Sequence, residues 1–189
     1  EQLIFDRAIR STRTLQLAAK PDASAAGAAM NALVDLANLV GDKSELILDP
    51  EIDTFYLMEL VLIQQPRLLA AARMLAEQTE AAGFNAHIGR IADFYAGYAS
   101  SYSKVLQSAR DKDVGPAIAP STDPFLKALV KLREDIAHPA PAIATIRSSI
   151  ADVLSLGPAA RNASVSELVR LLDVRTAGMA KQRLEQIII

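Results

Sequence analysis

The sequence predicts an all-α fold, an elongated antiparallel helical bundle of about six helical segments in two stacked levels divided by proline kinks. Three observations predict it. Alanine, the strongest helix former, supplies 34 of the 189 residues, whereas aromatic residues make up only 5% and glycine only 8 positions. Apolar residues recur at three- and four-residue spacing over long stretches. Alternating strand patterns and internal repeats of 20 to 50 residues are absent from the sequence.

The first helix is predicted over Glu1 to Lys20, with Leu3, Ile4, Ala8, Leu15, Ala18 and Ala19 as its apolar side and Pro21 as its stop. A second opens at Pro21 or Asp22 and runs through Ala25, Ala29, Leu33, Leu36 and Leu39 to Val40, where Gly41 stands in a helix-ending position. Asp42 to Asp49 reads as a connector. Asp49-Pro50-Glu51-Ile52-Asp53 then combines a capping acceptor, a proline at the first helical position and acids facing the positive end of the helix dipole. From there a helical pattern extends to Ala82, and Pro66 inside it should kink the helix or demand a local rearrangement. Phe55 to Ile63 is apolar nearly all round, which predicts burial on several sides.

Gly83 is predicted to end that element and Asn85 to cap the next, whose His87, Ile88, Ile91, Phe94, Tyr95, Tyr98, Tyr102 and Val105 give the clearest periodicity in the chain. Asp111 to Pro120, with Gly115 and Pro116, reads as a loop. Asp123-Pro124 repeats the cap-and-proline start and opens a seam of Phe125, Leu129, Leu132 and Ile136. Ile143, Ile146, Ile150 and Val153 continue it after an interruption at Pro139 and Pro141, beside which His138 reads as a loop or helix-end residue. Gly157-Pro158 is predicted to break the chain again. A last helix then starts near Asn162 to Ser164, with Ser164 and Glu167 as a capping box and Val165, Leu168, Leu172 and Met179 on its apolar face.

Composition narrows the function. Charged residues make up 22% and the net charge is −2, so neither disorder nor nucleic-acid binding through bulk positive charge is the default expectation. Cysteine is absent, which excludes disulfides, cysteine nucleophiles and thiolate metal sites. No G-x-S-x-G elbow, glycine-rich phosphate loop or Glu-x-x-His carboxylate pair occurs, and Ile91 stands four residues after His87, where a second metal ligand would fall. No catalytic residue, metal site or cofactor is therefore predicted. The chain begins with Glu1 rather than Met and ends on Ile187-Ile188-Ile189, and is read as a segment excised from a longer protein.

The candidate site is a ligand pocket. Arg67 follows Pro66, and Arg90 shares a helix face with His87, Phe94 and Tyr98, which together suit recognition of a small or anionic molecule between helices. Tyr95 and Tyr56 are further candidate contacts. The bland alternative, the commoner arrangement, has the arginines snorkelling to water over core aromatics. Asp53 and Tyr56 suit a buried hydrogen bond with a structural role, and Arg7, Arg10 and Arg13 form a basic stripe of the kind that usually faces solvent.

The stretch from Gly41-Asp42-Lys43-Ser44-Glu45-Leu46-Ile47 through Leu48-Asp49-Pro50-Glu51-Ile52-Asp53-Thr54-Phe55-Tyr56-Leu57-Met58-Glu59-Leu60, followed by Gln65-Pro66-Arg67-Leu68-Leu69, resembles a segment of the helical extracytoplasmic sensor regions of bacterial sensor histidine kinases and methyl-accepting chemotaxis proteins. The resemblance covers roughly thirty residues, long for a motif. It implies a periplasmic sensing domain between two membrane spans, anchored in the inner membrane and homodimeric in the full-length protein, with a histidine kinase or a chemoreceptor as its cytoplasmic output. It carries over no ligand residues. A helical adaptor that binds another protein along an apolar groove is the competing expectation.

Overall fold

The computed structural model describes residues 28–29, 31–36, 39, 52–77, 81–138 and 142–187, with side chains described from residue 88 in the second long helix and up to residue 179 in the last. Among these residues the ordered elements are all helical: α1 (Ile52–Met58), a π-helical stretch (Glu59–Gln64), α2 (Gln65–Ala76), α3 (Ala81–Ser108), α4 (Val114–Ala137) and α5 (Ile143–Ile187). Residues 31–36 are helical as well. The all-α bundle is thus the fold. The expected helix over Glu1 to Lys20, the Gly41 stop, the Asp49-Pro50 cap and the Pro139/Pro141 break lie outside the described residues.

Pro66 does not end its helix. It sits in the first turn of α2, directly behind the π-helical stretch. A proline has no amide to donate to the carbonyl four residues back, and its ring crowds that carbonyl. Widening the preceding turn relieves both problems: the Gln65 amide donates to the Leu60 carbonyl, a five-residue step characteristic of a π turn. The all-round apolar character of this segment has its expected consequence. Leu57, Met58, Leu60 and Val61 are buried, and Phe55, Tyr56, Leu62 and Ile63 are partly so.

The boundaries around α3 differ from those predicted. α2 stops at Ala76, and both Gly83 and Asn85 fall inside α3 rather than at its edge. Further along, Ile91, Tyr98, Tyr102 and Val105 are buried, as their spacing predicts. The Tyr98 ring meets Phe125 of α4 edge to face, 5.3 Å between centroids at 84°. Burial raises the Tyr98 hydroxyl well above the usual tyrosine range; Thr122 lies beside it, although the two hydroxyls do not meet in hydrogen-bonding geometry. The Tyr102 hydroxyl donates to Asp123 at 2.7 Å, and its own pKa is raised first by burial and then by that carboxylate.

α4 begins at Val114, ten residues before the predicted start at Asp123-Pro124, and absorbs the predicted loop. Pro116 lies in its first turn, where its missing amide costs nothing. Pro120 and Pro124 are interior, and with Pro116 they recur every four residues on one exposed face. There the carbonyls they leave without an amide donor can turn to water. On the opposite face Val114, Ile118, Thr122, Phe125, Leu129 and Leu132 form a continuous buried seam. Burial of this seam outweighs the two lost backbone bonds. α4 ends at Ala137, and His138 adopts φ −62°, ψ 136°, the extended conformation that a following proline imposes.

α5 is one helix of 45 residues, about 67 Å long at ~1.5 Å per residue. The predicted break at Gly157-Pro158 and the predicted start near Asn162 are both inside it. Pro158 is exposed, like the prolines of α4. The capping box is not formed: Ser164 Oγ donates to the Ala160 carbonyl one turn back, and Glu167 pairs with Arg170 instead. α5 runs antiparallel to α4. At one end Lys131 bridges Asp135 at 2.6 Å and also donates to Ser149; at the other Arg170 bridges Asp111 at 2.7 Å. One cluster of buried side chains extends from Leu57 in α1 to Leu171 in α5.

Candidate functional site

α2 and α3 each present an arginine to the same concavity. On α2, Arg67, Ala70, Ala71 and Met74 recur at spacings of three, one and three residues, which puts them on one helix face. On α3, Arg90 and Phe94 are one turn apart. These side chains, with Asn31 and Val34 from the earlier helical residues, line a pocket of about 280 Å³. Its floor is apolar, since Ala70 and Ala71 are buried and Met74, Phe94 and Val34 half-buried. Among the described residues its polar groups are the guanidiniums of Arg67 and Arg90 and the amide of Asn31. Arg67 is partly covered and Arg90 exposed, and among the described residues neither meets a carboxylate within ion-pair distance. A pair of like charges at one concavity favours an anion that bridges them.

The structure therefore brings together Arg67 and Arg90, the first two candidates from the sequence. It does not bring Tyr56 or Tyr95 to them. Tyr56 packs edge to face on Phe55, with the Lys104 ammonium 5.2 Å from its ring centroid. Tyr95 lies under the Arg133 guanidinium at 4.9 Å. Both are cation–π contacts between helices, away from the pocket lining. Tyr98, on the same predicted face as Arg90, is core. His87 is on α3 one turn before Arg90, and its side chain is outside the described residues.

A second set of contacts ties the pocket helix to α5. Gln65, fully buried two residues before Arg67, donates from Nε2 to the Gly157 carbonyl at 3.1 Å. Leu69 fills the space beside the same glycine, where a Cβ would lie 2.6 Å from Leu69 Cδ2. Hence Gly157 permits close approach, and α2 has the pocket on one side and α5 on another. α3 approaches the π turn in the same manner: a Cβ at Gly97 would collide with Gln64 Oε1.

Asp53 has the structural role expected of it, with partners that spacing did not reveal. Its buried carboxylate accepts the amide of Arg110 at 2.8 Å and that of Asp111 at 3.0 Å, and so pins the α3–α4 turn to α1. The side chain of Asp111 then accepts from Arg170, which also pairs with Glu167 at 2.6 Å. The Arg170 hydrogen bond, followed by that from the Asp113 amide, holds the Asp111 carboxyl below the usual range. Among the described residues no group of three or more His, Asp or Glu side chains is placed to hold a metal ion, and no helix is long and apolar enough to cross a membrane. Family models, curated proteins and solved structures were all compared with the chain, and none matches it.

Proposed function

We propose that this chain is the periplasmic sensing region of a transmembrane sensor histidine kinase, anchored in the inner membrane and working as a homodimer. The observation that carries the reading is the double role of α2: Arg67, Ala70, Ala71 and Met74 face the pocket while Gln65 and Leu69 grip Gly157 of α5. A ligand that draws α2 toward α3 changes how α2 seats on α5. α5 is a rigid element long enough to pass a small translation or rotation to whatever follows it. The segment from Gly41 to Leu69 that resembles helical sensor regions contains the π turn and Pro66, so the resemblance and the mechanical joint coincide. A chemoreceptor would use the same input with a different cytoplasmic output.

The test uses the intact membrane protein encoded with this segment. Replacing Pro66 by Ala allows the π turn to relax to α-helix, which rotates the preceding residues by about 100° per residue gained or lost. We expect basal autophosphorylation to change severalfold in Pro66→Ala. Unchanged output in a normally inserted protein removes the joint from the mechanism, and an intact protein without kinase activity or membrane insertion removes the histidine-kinase reading.

A helical adaptor is the second reading, favoured by one observation. Val169, Val174 and Met179 are 50%, 59% and 45% exposed on α5; five residues apart, they stand about 140° from one another around the helix and offer separate apolar contact points to a partner. Reporter fusions that place the chain inside the cytoplasm would support it over the sensor.

A further inference from the structure

We infer that the pocket between α2 and α3 takes a small monocarboxylic acid with an apolar, preferably aromatic, body. The inference deepens the sensor reading by naming what its pocket accepts, and for its signalling consequence it rests on that reading.

Three features select this class. The first is charge. Arg67 and Arg90 enter from different helices, and among the described residues no carboxylate neutralises either of them. A guanidinium is a planar fork of donors that matches a carboxylate, and two forks from opposite walls can divide its two oxygens between them. The second is the floor. Ala70, Ala71, Met74 and Phe94 offer alkyl, thioether and ring surface, with the weakly accepting sulfur of Met74 as the one polar atom among these four side chains. Apart from the Asn31 amide at the exposed rim, a second carboxylate or a string of hydroxyls laid there would lose its water without gaining a partner. An apolar body gains by burial, and the thioether of Met74 and the ring of Phe94 both favour an aromatic one. The third is size. At about 280 Å³ the cavity falls just below the ~300–1,000 Å³ typical of sites for drug-sized molecules, which suits a ligand of one ring. Inorganic phosphate would satisfy the arginines and leave the floor wet.

The 189-residue chain is titrated by calorimetry and thermal melting at low ionic strength with benzoate, acetate, succinate, inorganic phosphate and benzyl alcohol. Benzoate is expected to raise the melting temperature progressively with concentration, as a ligand of the folded state does. It should bind at least about tenfold more tightly than acetate, phosphate or succinate, which is ~1.4 kcal/mol. Benzyl alcohol, with the ring and without the charge, should not bind measurably. Arg67→Gln and Arg90→Gln should each weaken benzoate by about tenfold or more while leaving the ligand-free melting temperature near that of the unmodified chain, because both side chains reach solvent. Phosphate, acetate or succinate binding as tightly as benzoate overturns the assignment, as does benzoate binding that survives both substitutions, or its failure to bind. Binding is read on the chain and output on the membrane protein, so benzoate that binds without changing autophosphorylation leaves the pocket assigned and retires the sensor.

Discussion

Replacing Phe125 by Ala is expected to destabilise the bundle by about 3–5 kcal/mol, the range for emptying a fully buried aromatic site. Phe125 is inaccessible to solvent and meets the Tyr98 ring edge to face, and the lost pair adds roughly 0.5–1.5 kcal/mol to the transfer and cavity costs. Against the ~5–15 kcal/mol that holds a typical domain folded, this is a large share. Urea unfolding followed by far-ultraviolet circular dichroism measures it: the midpoint falls with the slope unchanged. Phe125→Leu keeps most of the volume and should cost less than half as much. A Phe125→Ala loss below about 1 kcal/mol would mean that the α3–α4 seam is not packed as described.

The second large effect belongs to Asp53. Its carboxylate accepts the Arg110 and Asp111 amides, and hydrogen bonds to a charged group contribute about 1.5–3 kcal/mol each. Asp53→Ala leaves both amides without an acceptor, and we expect a loss of ~2–4 kcal/mol, partly offset where water reaches the turn. The same substitution should speed hydrogen exchange at Arg110 and Asp111 selectively, since the turn is released from α1 before the helices separate. Asp53→Asn retains one acceptor oxygen and should fall between the two. Protection at these amides that is unchanged in Asp53→Ala would show that they are held by something else.

Much of this architecture is legible in the sequence, and the errors have one physical source. Apolar spacing locates much of the helix interior, including the seam Phe125-Leu129-Leu132 and the face of Ile91, Tyr98, Tyr102 and Val105, and misses the first turns of α4 and the continuity of α5 across Gly157-Pro158. The misplaced boundaries lie mainly at prolines and glycines. Pro116 and Pro120 read as loop, Pro124 as a helix start and Pro158 as a break, yet all four are exposed, and the carbonyls that the interior prolines leave unpaired are within reach of water. Extending the spacing backwards from Phe125 through Thr122 and Ile118 to Val114 would have shown that the seam runs past the punctuation. Ser164 and Glu167 matched a capping box by spacing alone, without a helix start to cap.

The pocket was half legible. Arg67 is a candidate because it follows Pro66, and Arg90 because it shares a helix face with His87, Phe94 and Tyr98, which local spacing reports. Tyr56 and Tyr95 lie outside the described pocket lining, beside Lys104 and Arg133, and those neighbours are fixed by how helices dock. The same limit hid the Gln65–Gly157 and Asp53–Arg110 bonds, which join residues 92 and 57 positions apart. Periodicity tells which side of a helix is buried and carries no information about which neighbour it meets.

The central claim is that α2 couples the pocket to α5, and a distance between those helices tests it most directly. The chain has no cysteine, so spin labels at Arg73→Cys and Ala159→Cys, both exposed positions, report on α2 and α5 alone. With benzoate at a concentration shown by calorimetry to saturate the pocket, the label separation should shift by on the order of 1–2 Å, the scale of helix displacements in signalling proteins. The shift should be lost in Arg67→Gln. A saturated pocket with an unchanged distance distribution would contradict the coupling.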